Sequence, residues 1–210
     1  EVRMLYNPQL KGAYSFVPGV MAMVLMLVCT LMTAITIVRE KEMGTMEIML
    51  VSPLKPMLII VAKAVPYLLL SAINISSILL LSVFVLDVPI NGSLLLLVGE
   101  SLLFTLTCLA FGLLISASTS SQQTAMFISL TGMFLPTVML SGFMFPIENM
   151  PLPLQVISHA VPARWFYQIV RNVMIKGTGL ETIWKETLIL LGMMLLLTTL
   201  AVKKFKIRLA

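Results

Sequence analysis

Charge is scarce in this sequence. Only 11% of its 210 residues are Asp, Glu, Lys or Arg, against roughly a quarter in soluble domains. With 59% hydrophobic residues and a mean hydropathy of +1.04, the composition excludes an ordinary water-soluble globule. One histidine and two cysteines leave few groups for nucleophilic or metal chemistry. The patterns GxxxxGK[ST], HExxH, GxSxG and CxxC are all missing. These absences argue against an enzyme and against a resident metal or cofactor. His159, the lone histidine, reads as an interfacial residue. Cys29 and Cys108 both lie within apolar runs and read as buried thiols, not as a disulfide.

Long apolar stretches are plentiful. A membrane-spanning helix needs about 20 mostly apolar residues. Five segments qualify: 17–38, 64–86, 94–115, 124–145 and about 183–202. Backbone amides in a bilayer need internal partners, so these runs are expected as helices. The strict alternation of a membrane barrel is absent. The expected fold is all-α and polytopic, a single transmembrane domain over residues 1–210. The 17 methionines suit flexible packing among helices and lipid better than copper binding.

The net charge of +5 does not indicate nucleic acid, because the basic residues gather beside apolar runs. Arg39, Lys41, Lys55 and Lys63 follow the first span, and Lys203, Lys204, Lys206 and Arg208 follow the last. The positive-inside rule assigns these eight to the cytoplasm, leaving six outside. The short loop Asp87–Ser93 has no positive charge, as an outside loop should. An inside C-terminus and five spans then place Glu1 outside. An outside start without Met or a signal peptide implies a longer protein, with a preceding span and an extracytoplasmic domain.

Two intramembrane positions are candidates for a gate or path. Glu100 is the sharpest, since ionisable groups at such depth are costly. Asn74 lies on a polar stripe with Ser71, Ser76 and Ser77. Thr30, Thr33 and Thr36 fall on one helical face and are expected to bond across helices.

The charge cluster after the first span is the densest motif: "IVREKEMGTMEIMLVSPLKP", residues 37–56. Arg39 and Lys41 explain anchoring at an interface. The glutamates Glu40, Glu42 and Glu47 do not. Gly44 breaks the helix and Thr45 caps a new one, which Ser52–Pro53 ends after about two turns. Such a piece is too short to stand alone in water and suits docking on a cytoplasmic partner.

"REKEMGTMEIMLVSPLKP" followed by "AKAVPY" resembles the REre-GT-E-LL-sPl…gKilPY pattern of type-2 ABC exporter permeases. "YNPQ…VPG", "GLLISASTSSQQTA", "LSGFMFPIENMPLPLQ", "PARWF" and "MIKG" continue the likeness in order. The resemblance implies the last five of six spans in a bacterial inner-membrane permease. It also implies an ATP-binding partner subunit, a second permease half forming a homo- or heterodimer, and surrounding lipid. The short segment at 45–51 becomes a coupling helix, and the coupling role falls on Arg39, Glu40, Glu42, Gly44, Thr45 and Glu47. The connection at 146–176 becomes an outer re-entrant hairpin near a gate, with Pro146 and Pro162 among its residues. ATP is bound by the partner, and the exported substrate is amphipathic or hydrophobic. The rival reading is a proton-coupled secondary transporter that uses Glu100.

Overall fold

Twenty or more apolar residues in a row leave the backbone one economical solution, which is to satisfy its own amides along a helix. The computed structural model describes residues 12–44 and 56–207, with the side chains of 56–63 and 205–207 excepted. Five helical passes are long and apolar enough to cross a bilayer. They are α1 (Ala13–Glu42), α2 (Pro56–Phe84), α3 (Leu94–Ser118), a broken fourth pass and a last long helix. The fourth consists of α4 (Gln122–Ser129), a π-helical turn (Leu130–Phe134) and α5 (Leu135–Leu140). Two short helices follow, α6 (Leu152–Ser158) and α7 (Pro162–Val170), and then α8 (Leu180–Ile207). The expected coupling helix at 45–51 lies outside the described residues.

Several boundaries differ from the sequence reading, including the start of α2 at Pro56 and the end of α3 at Ser118. The first helix does not wait for "VPG" but starts at Ala13, with Ser15 and Phe16 donating to the Gly12 carbonyl. Pro18 sits within its second turn. The fourth pass stops at Leu140, short of 145, because Gly142 takes φ +86° and turns the chain. That turn swings Phe143 onto α1, where the space beside Gly19 is filled by its ring. The π-helical turn precedes Pro136, whose missing N–H interrupts the regular ladder there. The last helix overruns 183–202 at both ends, since flanking charges such as Glu181 and Lys204 are compatible with helix outside the apolar core.

α3 is the central element, packed against α1 on one side and α8 on the other. It comes tightly against α1 at Gly112. A Cβ added there would lie 2.7 Å from the Thr30 carbonyl oxygen and 2.7 Å from the Thr33 Cβ. Small residues with hydroxyl contacts are how helices associate where lipid offers no hydrophobic drive. Accordingly, Thr30 donates to the Cys108 carbonyl at 3.1 Å, and Thr36 bonds the Tyr67 hydroxyl of α2. Cys29 meets Ser71 of α2 at 3.0 Å, and Cys108 donates to the Met26 sulfur at 3.3 Å. Both thiols are free and buried.

The connection between α5 and α8 is not a surface loop throughout. Phe166 of α7 stacks on Phe104 of α3, their rings 4.1 Å apart and parallel. Both side chains are fully buried. The loop before α3 is pinned to this wedge, as the Asn91 N–H donates to the Met174 carbonyl and its side-chain amide to the Ile175 carbonyl.

Candidate functional site

The last turn of α1 carries Arg39, Glu40, Lys41 and Glu42. It closes on Gly44, which takes φ +70° and donates to the Lys41 carbonyl. A residue in the left-handed region after a helix is the commonest way to stop it, and glycine adopts it without a Cβ penalty.

The end of α3, the start of α4 and the last part of α8 meet this turn. α3 ends at Ser118, leaving carbonyls without helical partners. The Lys41 ammonium donates to one of these, the Ser116 carbonyl, and lies 3.5 Å from that of Thr119. α4 begins at Gln122 with no cap from its own Ser121 side chain. Glu42 supplies what is missing: its Oε1 accepts from the Gln122 backbone N–H at 2.8 Å, and its Oε2 accepts from the Gln122 side-chain amide. A cation thus sits at the negative end of one helix dipole and an anion at the positive end of the next. Lys204, near the end of α8, donates to Ser118 Oγ at 2.8 Å. The ends of α1, α3 and α8 and the start of α4 therefore converge at one turn, where α1 and α4 are hydrogen-bonded to each other.

Of the candidate coupling residues, Glu42, Gly44 and Lys41's neighbours Arg39 and Glu40 sit at this convergence or one turn from it. Arg39 is exposed and Glu40 half-buried. Thr45 and Glu47 lie outside the described residues. Sequence reasoning does not single out Gln122, Ser116 or Thr119 as site residues. Their only signal is the "SASTSSQQ" run, whose polarity marks a turn but not its partner.

The gate candidates are dispersed at mid-span and at the opposite end. Glu100 is 5% exposed and faces α8, where Thr187 donates to its Oε1 at 2.8 Å. Asn74 is half-buried on α2. Pro162 is buried at the first position of α7, where a missing N–H is costless. Pro146 precedes a single 3-10 turn, Ile147–Asn149. Between them, Arg164 ties α7 to α6. It donates to the Gln155 carbonyl at 3.2 Å and to Ser158 Oγ, and lies 3.1 Å from His159 Nδ1. Trp165 donates to the His159 carbonyl at 3.0 Å. His159 is thus part of a structural clasp.

Residues 1–203 match the family described as ABC-2 family transporter protein. The chain belongs to the ABC-2 transporter family. It is similar to the probable multidrug ABC transporter permease YbhR of Escherichia coli K12, 35% identical over 185 residues, covering 88% of this chain and 50% of that protein. YbhS of the same organism, also a probable multidrug ABC transporter permease, is 34% identical over 177 residues, covering 84% and 47%. The inner membrane transport permease YhhJ, again of Escherichia coli K12, is 32% identical over 211 residues, covering 98% and 55%. The chain spans about half the length of these ABC-2 relatives. Its five apolar helices and this membership make it a multi-pass membrane protein.

Proposed function

We propose that this chain is the membrane-spanning permease part of an ATP-driven exporter that moves amphipathic or hydrophobic compounds out of the cytoplasm. The multidrug designations of YbhR and YbhS favour that substrate range. ATP is bound and hydrolysed by a separate subunit, which brings the phosphate loop this sequence lacks. Two permease halves pair in a bacterial cell membrane, with the Lys41 end cytoplasmic and residue 1 outside.

The observation that carries the mechanism is the junction at Glu42. In this reading the segment after Gly44 sits on the ATPase, with Thr45 and Glu47 in the coupling helix. Closure of the ATPase displaces the end of α1. The displacement passes through Glu42 to the N-terminus of α4 and through Lys41 to the end of α3. The packed helices then settle into a second arrangement that opens toward the opposite face. The 146–176 connection borders that opening as a re-entrant hairpin.

The test is to purify the full-length protein and measure which ATPase subunit accompanies it, then replace Gly44 and Glu47. Loss of substrate-stimulated ATP hydrolysis with intact assembly is the expected result. Unchanged transport in these variants overturns the coupling assignment. Export that persists without the ATPase and stops on collapse of the proton gradient favours proton coupling through Glu100 instead.

A further inference from the structure

Two cavities meet at Pro146, and their linings are opposite in character. One is a mostly apolar groove of about 470 Å³ between the end of the fourth pass and the connection that follows, lined by Leu135, Met139, Leu140, Phe145, Pro146 and Leu154. The other, of about 800 Å³, is polar and has Pro146 in its wall. Its charged residues are Arg164, Arg171, Lys176, Glu148 and Glu186.

We infer that the joined cavities bind a phospholipid with an anionic head, its acyl chain in the groove and its phosphate among Arg164, Arg171 and Lys176. The groove begins on the last turns of a membrane-crossing helix, at Leu135–Leu140, and continues onto the following connection as far as Leu154, so its inner end reaches acyl-chain depth. The polar cavity is framed by the ends of passes, by Ser15 near the start of α1 and Glu186 near the start of α8, and so lies at headgroup depth. An amphiphile at a bilayer surface has this same division. Three cations face two carboxylates, which leaves the cavity basic. Arg171 and Lys176 are exposed and make no ion pair among the described residues, so both are available to an anion. Arg164 is held in place by the α6 carbonyl and hydroxyl and keeps its charge, since a guanidinium does not deprotonate in proteins. A charged head leaves water readily only where fixed opposite charge receives it.

This inference rests on the permease reading for its purpose, because a lipid-shaped site beside the gate defines the amphiphiles the exporter releases. Its test does not depend on ATP turnover. Full-length protein is reconstituted in vesicles containing phosphatidylglycerol or phosphatidylcholine that carries a photoreactive group on the acyl chain, and the labelled peptides are mapped by mass spectrometry. The expected result is labelling within Leu135–Leu154, stronger for phosphatidylglycerol by about fivefold for each engaged basic residue. The exposed pair Arg171→Gln and Lys176→Gln should cut the preference to about the fivefold that Arg164 alone supplies, without loss of folding. Glu148→Gln should preserve or increase the preference. Equal labelling by both lipids in the unmodified protein, or a preference untouched by the double substitution, overturns the proposal. Absence of label from this segment also overturns it. Loss of ATPase coupling with the lipid preference intact would count against the export reading alone.

Discussion

Glu42 and Gln122 are 80 residues apart in sequence and joined at both carboxylate oxygens. One oxygen receives the backbone N–H that opens α4, the other the side-chain amide. A carboxylate at the end of one membrane helix thus serves as the cap of another, in place of the missing local cap. This contact gives the coupling proposal a physical linkage, and four predictions test it and the packing around it.

Glu42→Ala should uncouple: ATP hydrolysis continues while export falls severalfold, because the start of α4 loses its tether to α1. Exchanging the pair, Glu42→Gln with Gln122→Glu, should restore part of the export. The exchanged side chains can still hydrogen-bond, and the carboxylate introduced by Gln122→Glu puts its own charge at the helix N-terminus. Transport and ATPase rates in vesicles decide this. No rescue by the exchange, with normal assembly, would argue that the contact transmits nothing.

Gly112→Ala should lower thermal stability by about 1–3 kcal/mol through overpacking. The added Cβ meets the Thr30 carbonyl and the Thr33 Cβ at distances real side chains do not tolerate. A melting curve in detergent measures it. Gly99→Ala, also within α3 but with open space around the position, should not lower the curve and should raise it slightly through helix propensity.

Phe166→Ala should cost about 3–5 kcal/mol, since it empties a fully buried site stacked on Phe104. Phe166→Leu should cost less. Protection of the α7 amides from hydrogen exchange reports whether the wedge has loosened.

Glu100→Gln should keep export near the unmodified rate, because the amide oxygen still accepts from Thr187. Export should also survive a protonophore. If Glu100→Gln abolishes export from a correctly assembled protein while Glu100→Asp retains it, proton coupling becomes the better account.

Much of the fold was readable because its causes are local. Apolar runs of bilayer length dictate helices whatever surrounds them, and Gly44 marks the end of α1 wherever that helix packs. Boundaries were less legible where a distant residue set them. The fourth pass ends at Leu140 because Gly142 turns and Phe143 finds the gap at Gly19, far away in sequence. Nothing in "LSGFMFP" announces that gap. The connection after α5 showed no clean period because it is cut into a 3-10 turn, α6, α7 and a π-helical turn, each only three to nine residues long. α7 does have one buried face, carried by Phe166, Ile169 and Val170, but two turns are too short for that spacing to stand out along the chain.

The site divides the same way. Charge and hydropathy along the chain determined that this is a five-pass helical membrane protein with a charged junction after its first helix. They also marked Glu100 and Arg39–Glu47 as residues to explain. Only the tertiary structure decided that Glu42 caps α4, that Lys41 and Lys204 hold the end of α3, and that Glu100 pairs with Thr187. The reason is that a hydrogen bond between helices depends on their packing register, which sequence periodicity along one helix does not contain.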